Sequence, residues 1–247
     1  MSESSSTSNQ PILINQLSQT EQSGGYWLIS GNLAEPLETV HAFYSLLSPA
    51  QNQHTPQGGI KASLFDYQFP KLQLLTEQPI DLALFKKEPL PLAAETSTEL
   101  SLQTDQPTLL LSSDLGVGPL LYCAKQVKQN GHKHLALLHT STSQQFPFVV
   151  KPAQFMLNDF PFEAIGGCSL LEDWKIANRL ASDQGQPGCL DGSILELITP
   201  WLEAEKQRQV VEPMNWQVVS FLPATNYQSL IELVKTYPWL SLKNYAI

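Results

Sequence analysis

The residues best placed to do chemistry are Ser113, Asp114, Leu115, Gly116, Val117, Gly118 and Pro119. An apolar run from Leu109 to Leu111 enters this stretch, and an amphipathic segment leaves it and stops at Asn130-Gly131. A strand, a glycine turn and a helix in that order aim backbone N–H groups at an anion, because the first helical turn has unpaired donors and a positive dipole end. Pro119 suits a helix start, where its missing N–H costs nothing. Asp114 works against an anion, since a carboxylate repels phosphate, and its side chain can accept from a nearby N–H and cap the helix instead. Two readings stay open, a nucleotide turn and a strand-to-helix turn with no ligand. In either case the start of the helix, Leu115–Pro119, is expected to stay open to solvent and to face a cleft between two domains.

Other chemistries find less support. His132, His134 and His139 invite a metal, but His134 and His139 are five apart and a strand sends them to opposite faces. No acidic cluster stands beside them in sequence, so a turn-and-strand role is expected and no metal. Asp66, Glu77, Asp81 and the Glu172-Asp173 pair lack acid–base spacing and read as solvated faces. No nucleophile elbow and no Gly-Lys-Ser/Thr phosphate loop occurs. Cys123, Cys168 and Cys189 are odd in number and far apart, so they read as reduced, partly buried thiols. A net charge of -9 argues against a protein that neutralises nucleic-acid phosphates. The start, MSESSSTSNQ, reads as a flexible tail and not a signal peptide. No apolar run reaches the roughly 18–20 residues that cross a bilayer. A cytoplasmic protein without membrane insertion is expected.

The elements that must position the turn follow from apolar rhythm. The 247 residues, 42% hydrophobic, suffice for two compact units. Before Gln106-Pro107, short apolar runs such as Tyr26–Ser30, Ala42–Leu47 and Ile80–Phe85 are split by turn-rich stretches, and Ser48–Gly59 is a loop by composition. After Pro107 strands alternate with helices: a buried strand at Thr108–Ser113, a helix from Pro119 to Gln129, and a strand at His134–Thr140. Helical spacing of Leu171, Trp174 and Ala177 predicts a helix across Leu170–Ala181. Ser193 and Glu196 form a capping box, and Pro200 is expected to bend or break the helix it opens. Trp216–Leu222 reads as a strand and Asn226–Tyr237 as a last helix. The expectation is a tail over residues 1–9, a β-rich barrel over 10–105, and an α/β domain with a parallel sheet over 106–247.

Ser113 to Pro119 resembles the Gly-Gly-x-Gly-Ile/Val-Ala-Pro turn of the ferredoxin–NADP reductase superfamily. Leu120 to Lys125 is similar to the helix start in the electron-transfer subunit of bacterial dihydroorotate dehydrogenase, and weaker echoes follow in order at Gly188–Ile198 and Val218–Leu233. The resemblance spans residues 80–234. It implies a flavin-binding barrel followed by an NAD(P)-binding domain, in an oxidoreductase or electron-transfer subunit that serves a redox partner protein. It places NAD(P)H along Ser113, Asp114, Leu115, Gly116, Val117, Gly118 and Pro119. It places FAD or FMN at Tyr44 and Ser45, and Pro223 in the turn beside the rings.

The departures are equally specific. Ser113 and Asp114 replace two family glycines, and Phe221-Leu222 stand where the family has Cys-Gly. Ala42 stands where the family's Arg-x-Tyr-Ser/Thr strand has its arginine, whose guanidinium pairs with the flavin phosphate. Glu88-Pro89-Leu90-Pro91 keeps a proline of another family turn without its glycines. The chain after Cys189 has no cysteine, so no iron–sulfur cluster is expected. These departures imply degenerate cofactor sites and a second class of function: a non-catalytic binding or regulatory protein on the reductase fold.

Overall fold

A computed structural model describes residues 11–47, 59–95, 98–141 and 145–246; the expected tail and most of the Ser48–Gly59 loop lie outside them. Six strands close an antiparallel barrel: β1 (Ile12–Glu21), β2 (Trp27–Leu33), β3 (Phe43–Leu46), β4 (Ile60–Gln68), β5 (Lys71–Thr76) and β6 (Leu90–Ala94), in the order β1-β2-β5-β4-β3-β6. Strand side chains alternate between faces. Ile29 and Leu33 of β2, Tyr44 and Leu46 of β3, Leu72 and Leu74 of β5, and Leu90 and Leu92 of β6 therefore fill the barrel, an even number of residues apart within each strand. Leu82–Phe85, the end of the third apolar run, is a turn of 3-10 helix capped by Asp81.

The second half contains a six-stranded sheet, all parallel: β7 (Thr108–Ser113), β8 (His134–Thr140), β11 (Ala177–Ser182), β12 (Leu190–Asp191), β13 (Trp216–Phe221) and β14 (Leu240–Asn244). The order is β12-β11-β8-β7-β13-β14. Between β8 and β11 a small hairpin forms from β9 (Lys151–Pro152) and β10 (Gly166–Gly167). Helices α1 (Val117–Val127) and α2 (Ser169–Asp173) cover one face, where Leu110, Ala136, Leu138 and Val219 meet Leu121, Ala124 and Leu171. Helices α3 (Ile194–Arg208) and α4 (Ala224–Val234) cover the other, over Leu109, Leu111, Leu137 and Val218. With both faces buried, the strands read as continuous apolar runs.

Two expected elements differ. The helix of Leu170–Ala181 is only the five-residue α2; Lys175 takes φ 62, and the chain turns into β11. Leu171 and Trp174 of that spacing belong to α2 and its end, and only Ala177 lies in β11, a strand that carries no period of its own because both its faces are covered from Asn178 onward. Pro200 does not break α3, which runs through it behind the expected Ser193–Glu196 capping box. Pro200 stands on the exposed side, where the carbonyl it leaves unpaired faces solvent.

Barrel and sheet meet through α1 and β4. Lys125 of α1 donates to both carboxylate oxygens of Asp66, at 2.6 and 2.8 Å. The more telling contact is apolar. Ala42 and Phe43 of the barrel belong to one buried cluster with Val117, Leu120, Phe221 and Tyr245 of the second half. The two halves share a core.

Candidate functional site

The turn after β7 keeps its strand–turn–helix form. Ser113 is extended, Asp114 takes the left-handed φ of 49, and residues 114–116 make a 3-10 turn that runs into α1. Val117 N donates to the carbonyls of Asp114 and Leu115, and Pro119 falls in the first turn of α1. The turn is not open to solvent, contrary to expectation. Leu115 is buried with Tyr26 and Leu75, and Val117, Gly118, Pro119 and Leu120 are buried too. A Cβ at Gly118 would stand 2.6 Å from Ser63 Oγ and 2.7 Å from the Leu64 carbonyl oxygen, so α1 begins against the backbone of β4. Glycine is needed here for close approach rather than for conformation. Nearby, Gly24 (φ 72) lies under Gln145 and Phe146, 2.5 Å from the Gln145 oxygen to a built Cβ. Barrel residues Tyr26, Ser63, Leu64 and Leu75 cover the helix start.

Asp114 does not cap α1, which has no side-chain cap. Its carboxylate accepts from Ser141 N at 2.9 Å and from Ser113 Oγ at 3.0 Å, and so ties the turn to the loop after β8. The reason is its left-handed backbone, which accompanies a side chain engaged with that loop instead of the helix amides.

On the barrel side, Tyr44 is fully buried and its hydroxyl accepts from His41 N at 3.1 Å. Burial pushes its phenol up to about 12. Ser45 pairs with Lys61 and Ala93 in the neighbouring strands. Ala42 is fully buried, with its N–H donated to the Thr98 carbonyl at 2.7 Å. Neither arginine stands in for the missing one. Arg179 donates to the Asn178 and Phe155 carbonyls, and Arg208 pairs with Asp159 and Glu205.

In the last turn, Phe221 and Leu222 point to opposite faces of the sheet, each fully buried. Phe221 stacks on Tyr245, with ring centroids 5.3 Å apart and planes 17° apart. The Tyr245 hydroxyl accepts from Ser101 N at 3.0 Å, which pins the end of the chain to the segment between the halves. Pro223 follows as the N-cap of α4. The structure thus brings Phe43, Phe221 and Tyr245 into one cluster with the start of α1, and sends Tyr44 into the barrel interior. Two open grooves of about 350 and 370 Å³ lie elsewhere, one beside Glu38, Glu99 and Tyr122 and one beside Asp66, Phe69 and Lys71.

Two polar groupings were not legible in sequence. Glu172 is buried, not solvated: it accepts from Asn178 Nδ2 at 3.0 Å and Gln154 N at 3.1 Å, and so fastens the β9–β10 excursion onto β11. The second joins Ser113, His139 and Asp183, from the ends of three adjacent strands. Their one sequence signal is that each stands at the close of an apolar run, and only strand order makes them neighbours. His134 instead hydrogen-bonds Asn130 Oδ1, at 2.7 Å.

No protein-family model and no curated protein matches the chain in sequence. Solved structures do match in shape. The ferredoxin-NADP+ reductase from Plasmodium falciparum superposes with a TM-score of 0.59 at 8% identity, over 97% of this chain and 98% of that one. A cytochrome P450 reductase from Amycolatopsis gives 0.57 at 13%, over 96% of this chain and 70% of the other. An intact type IV self-sufficient cytochrome P450 monooxygenase gives 0.56 at 14%; the chain covers 28% of its length. Among the described residues, no helix is long and apolar enough to cross a membrane. A closed six-stranded barrel followed by a parallel sheet with helices on both faces, matched over the whole of a reductase, is the ferredoxin–NADP+ reductase fold.

Proposed function

We propose that this chain is a non-catalytic binding or regulatory protein on the reductase fold, descended from an electron-transfer flavoprotein. The observation that carries the reading is the shared core: Ala42 and Phe43 of the barrel pack with Phe221, Tyr245 and the start of α1. In the resemblance, the flavin ring and the nicotinamide meet in the cleft between barrel and sheet. Here that space holds protein side chains. The residues do not fit a flavin, because no cation stands at Ala42 to pair with its phosphate and the Phe221–Tyr245 stack takes the place of a ring pair. They do not fit NAD(P)H at Ser113–Pro119 either, since Gly118 packs on Ser63 and Leu64, Leu115 is buried with Tyr26, and the Asp114 carboxylate is part of the turn.

The order of elements from residue 80 to 234 supports descent from a protein like the electron-transfer subunit of dihydroorotate dehydrogenase. A binding role is supported by Val149, Met156, Phe162 and Ile165, large apolar side chains exposed at 62–89% on the excursion between β8 and α2. A catalytic reading, NAD(P)H oxidation with a redox partner, is favoured by the surviving strand–turn–helix with Gly118 and Pro119. It requires α1 and β4 to part. The absorption spectrum of the purified full chain, acid extraction of any flavin, and NADH or NADPH oxidation with ferricyanide as acceptor decide between the two. We expect no flavin band and no oxidation above buffer. Near-stoichiometric flavin with turnover overturns the non-catalytic reading.

A further inference from the structure

Open α/β sheets present the loops at the C-terminal ends of their strands to ligands. At that edge three adjacent strands of this protein end in polar side chains that touch. Ser113 closes β7, His139 is next to last in β8, and Asp183 follows β11. The register sets Ser113 beside His139. Ser113 Oγ lies 3.0 Å from Asp114 Oδ2 and 2.9 Å from His139 Nδ1, and His139 Nε2 lies 2.9 Å from Asp183 Oδ1. Ser113 and His139 are 1% and 3% exposed, so their mutual contact excludes solvent.

The hydrogens can be counted. Three contacts need three hydrogens, and the carboxylates supply none. Ser113 donates its own to Asp114, so it must accept from His139 Nδ1–H. Nε2 faces a carboxylate and must also donate. All three contacts close only when the ring carries hydrogen on both nitrogens. A neutral ring has one. It keeps that hydrogen on Nε2, where the bond to Asp183 is charge-assisted, and the Ser113 hydroxyl turns to Nδ1. Asp114 Oδ2 then faces an oxygen with no hydrogen between them.

We propose that Asp114, Ser113, His139 and Asp183 form a proton-operated latch, closed by the imidazolium and released at Asp114 by the neutral ring. Asp114 Oδ1 also holds Ser141 N, and Asp183 N donates to the Thr140 carbonyl. The latch therefore joins the three loops after β7, β8 and β11, and its release leaves Asp114 held to the loop after β8 by the Ser141 amide without the Ser113 donor. The charged neighbours are few. Glu77 of the barrel stands near Asp114, with Lys61 near Glu77 in turn, and the Tyr26 hydroxyl is also close to Asp114. Glu196 of α3 is turned back onto Ser193, and Asp191 of β12 lies against Gly185. Among the described residues, neither Asp114 nor Asp183 has a Lys or Arg partner.

The test is nuclear magnetic resonance on the full chain from about pH 5 to 8, where histidines change charge. The ring nitrogens of His139 and the amide of Ser141 are followed together. At the acid end both ring nitrogens are expected to be protonated. As the ring loses a proton, the Ser141 amide should shift along the same curve, because its acceptor Asp114 loses the Ser113 donor. In His139→Gln the Ser141 amide should no longer titrate. If that variant does not fold, Asp183→Asn, which keeps an acceptor without the charge, should move the curve to lower pH. A His139 ring that is neutral over the whole range, or a Ser141 amide indifferent to its titration, overturns the latch.

Discussion

On the proposed reading, the barrel side and the sheet side of the interface depart from a cofactor site by different routes. On the barrel side the departure from the resembled strand is of residue type: Ala42 stands where that strand has its arginine, and Tyr44 turns into the core of the barrel with its hydroxyl on His41 N. On the sheet side the glycine turn keeps its path, and the change lies in what covers it. Replacing a residue removes an attraction. Covering a turn removes the space in which any attraction could act, even where Gly118 and Pro119 persist. The two departures meet in the cluster of Phe43, Phe221 and Tyr245.

Breaking that cluster is expected to have the largest effect. Phe221→Ala removes a fully buried ring that stacks on Tyr245 and should cost about 3–5 kcal/mol in urea unfolding of the full chain. A cost under about 1 kcal/mol means the interface is loose and the comparison fails at its centre. Ala42→Arg restores the residue type that the family strand uses, but at a fully buried position. It should cost about 2–4 kcal/mol through overpacking and an unpaired buried charge, and gain no flavin. Tighter FMN or FAD binding by this variant shows that the barrel side has lost only its cation.

Gly118→Ala sharpens the sheet side. The added methyl meets Ser63 Oγ and the Leu64 carbonyl, and should cost about 1–3 kcal/mol. An unchanged stability shows that α1 and β4 separate easily. Tyr44 offers a smaller, pH-dependent signal. Its folded-state phenol is raised to about 12 from an ordinary 10.0. The folded protein therefore holds that proton longer than the unfolded chain does, and the associated stability is present below pH 10 and declines as pH rises towards 12. An alkaline phenolate titration of wild type against Tyr44→Phe checks this. A Tyr44 that ionises like a free tyrosine lines an open cleft.

Much of this was legible in the sequence. Apolar alternation and the Pro107 change of rhythm indicated a barrel and then a parallel sheet, and the Ser193–Glu196 box marked the start of α3. Strand β11 escaped because Leu171, Trp174 and Ala177 have helical spacing while a strand buried on both faces has no period of its own. The departures at Ala42 and Phe221 could be read because each differs in type from the residue at that place in the resembled motif. The burial of the turn could not. It depends on Gly118 meeting β4 and Leu115 meeting Tyr26 and Leu75, contacts between residues far apart in sequence. Ser113, His139 and Asp183 were hidden for the same reason, since only the order β11-β8-β7 makes them neighbours.

The central claim is that the space between barrel and sheet is filled by the protein's own side chains. Equilibrium titration of FMN and of FAD with the purified full chain, read by flavin fluorescence, tests it most directly. The account predicts no saturable change for either flavin up to the highest soluble protein concentration. Stoichiometric, saturable quenching by the wild-type chain would contradict it.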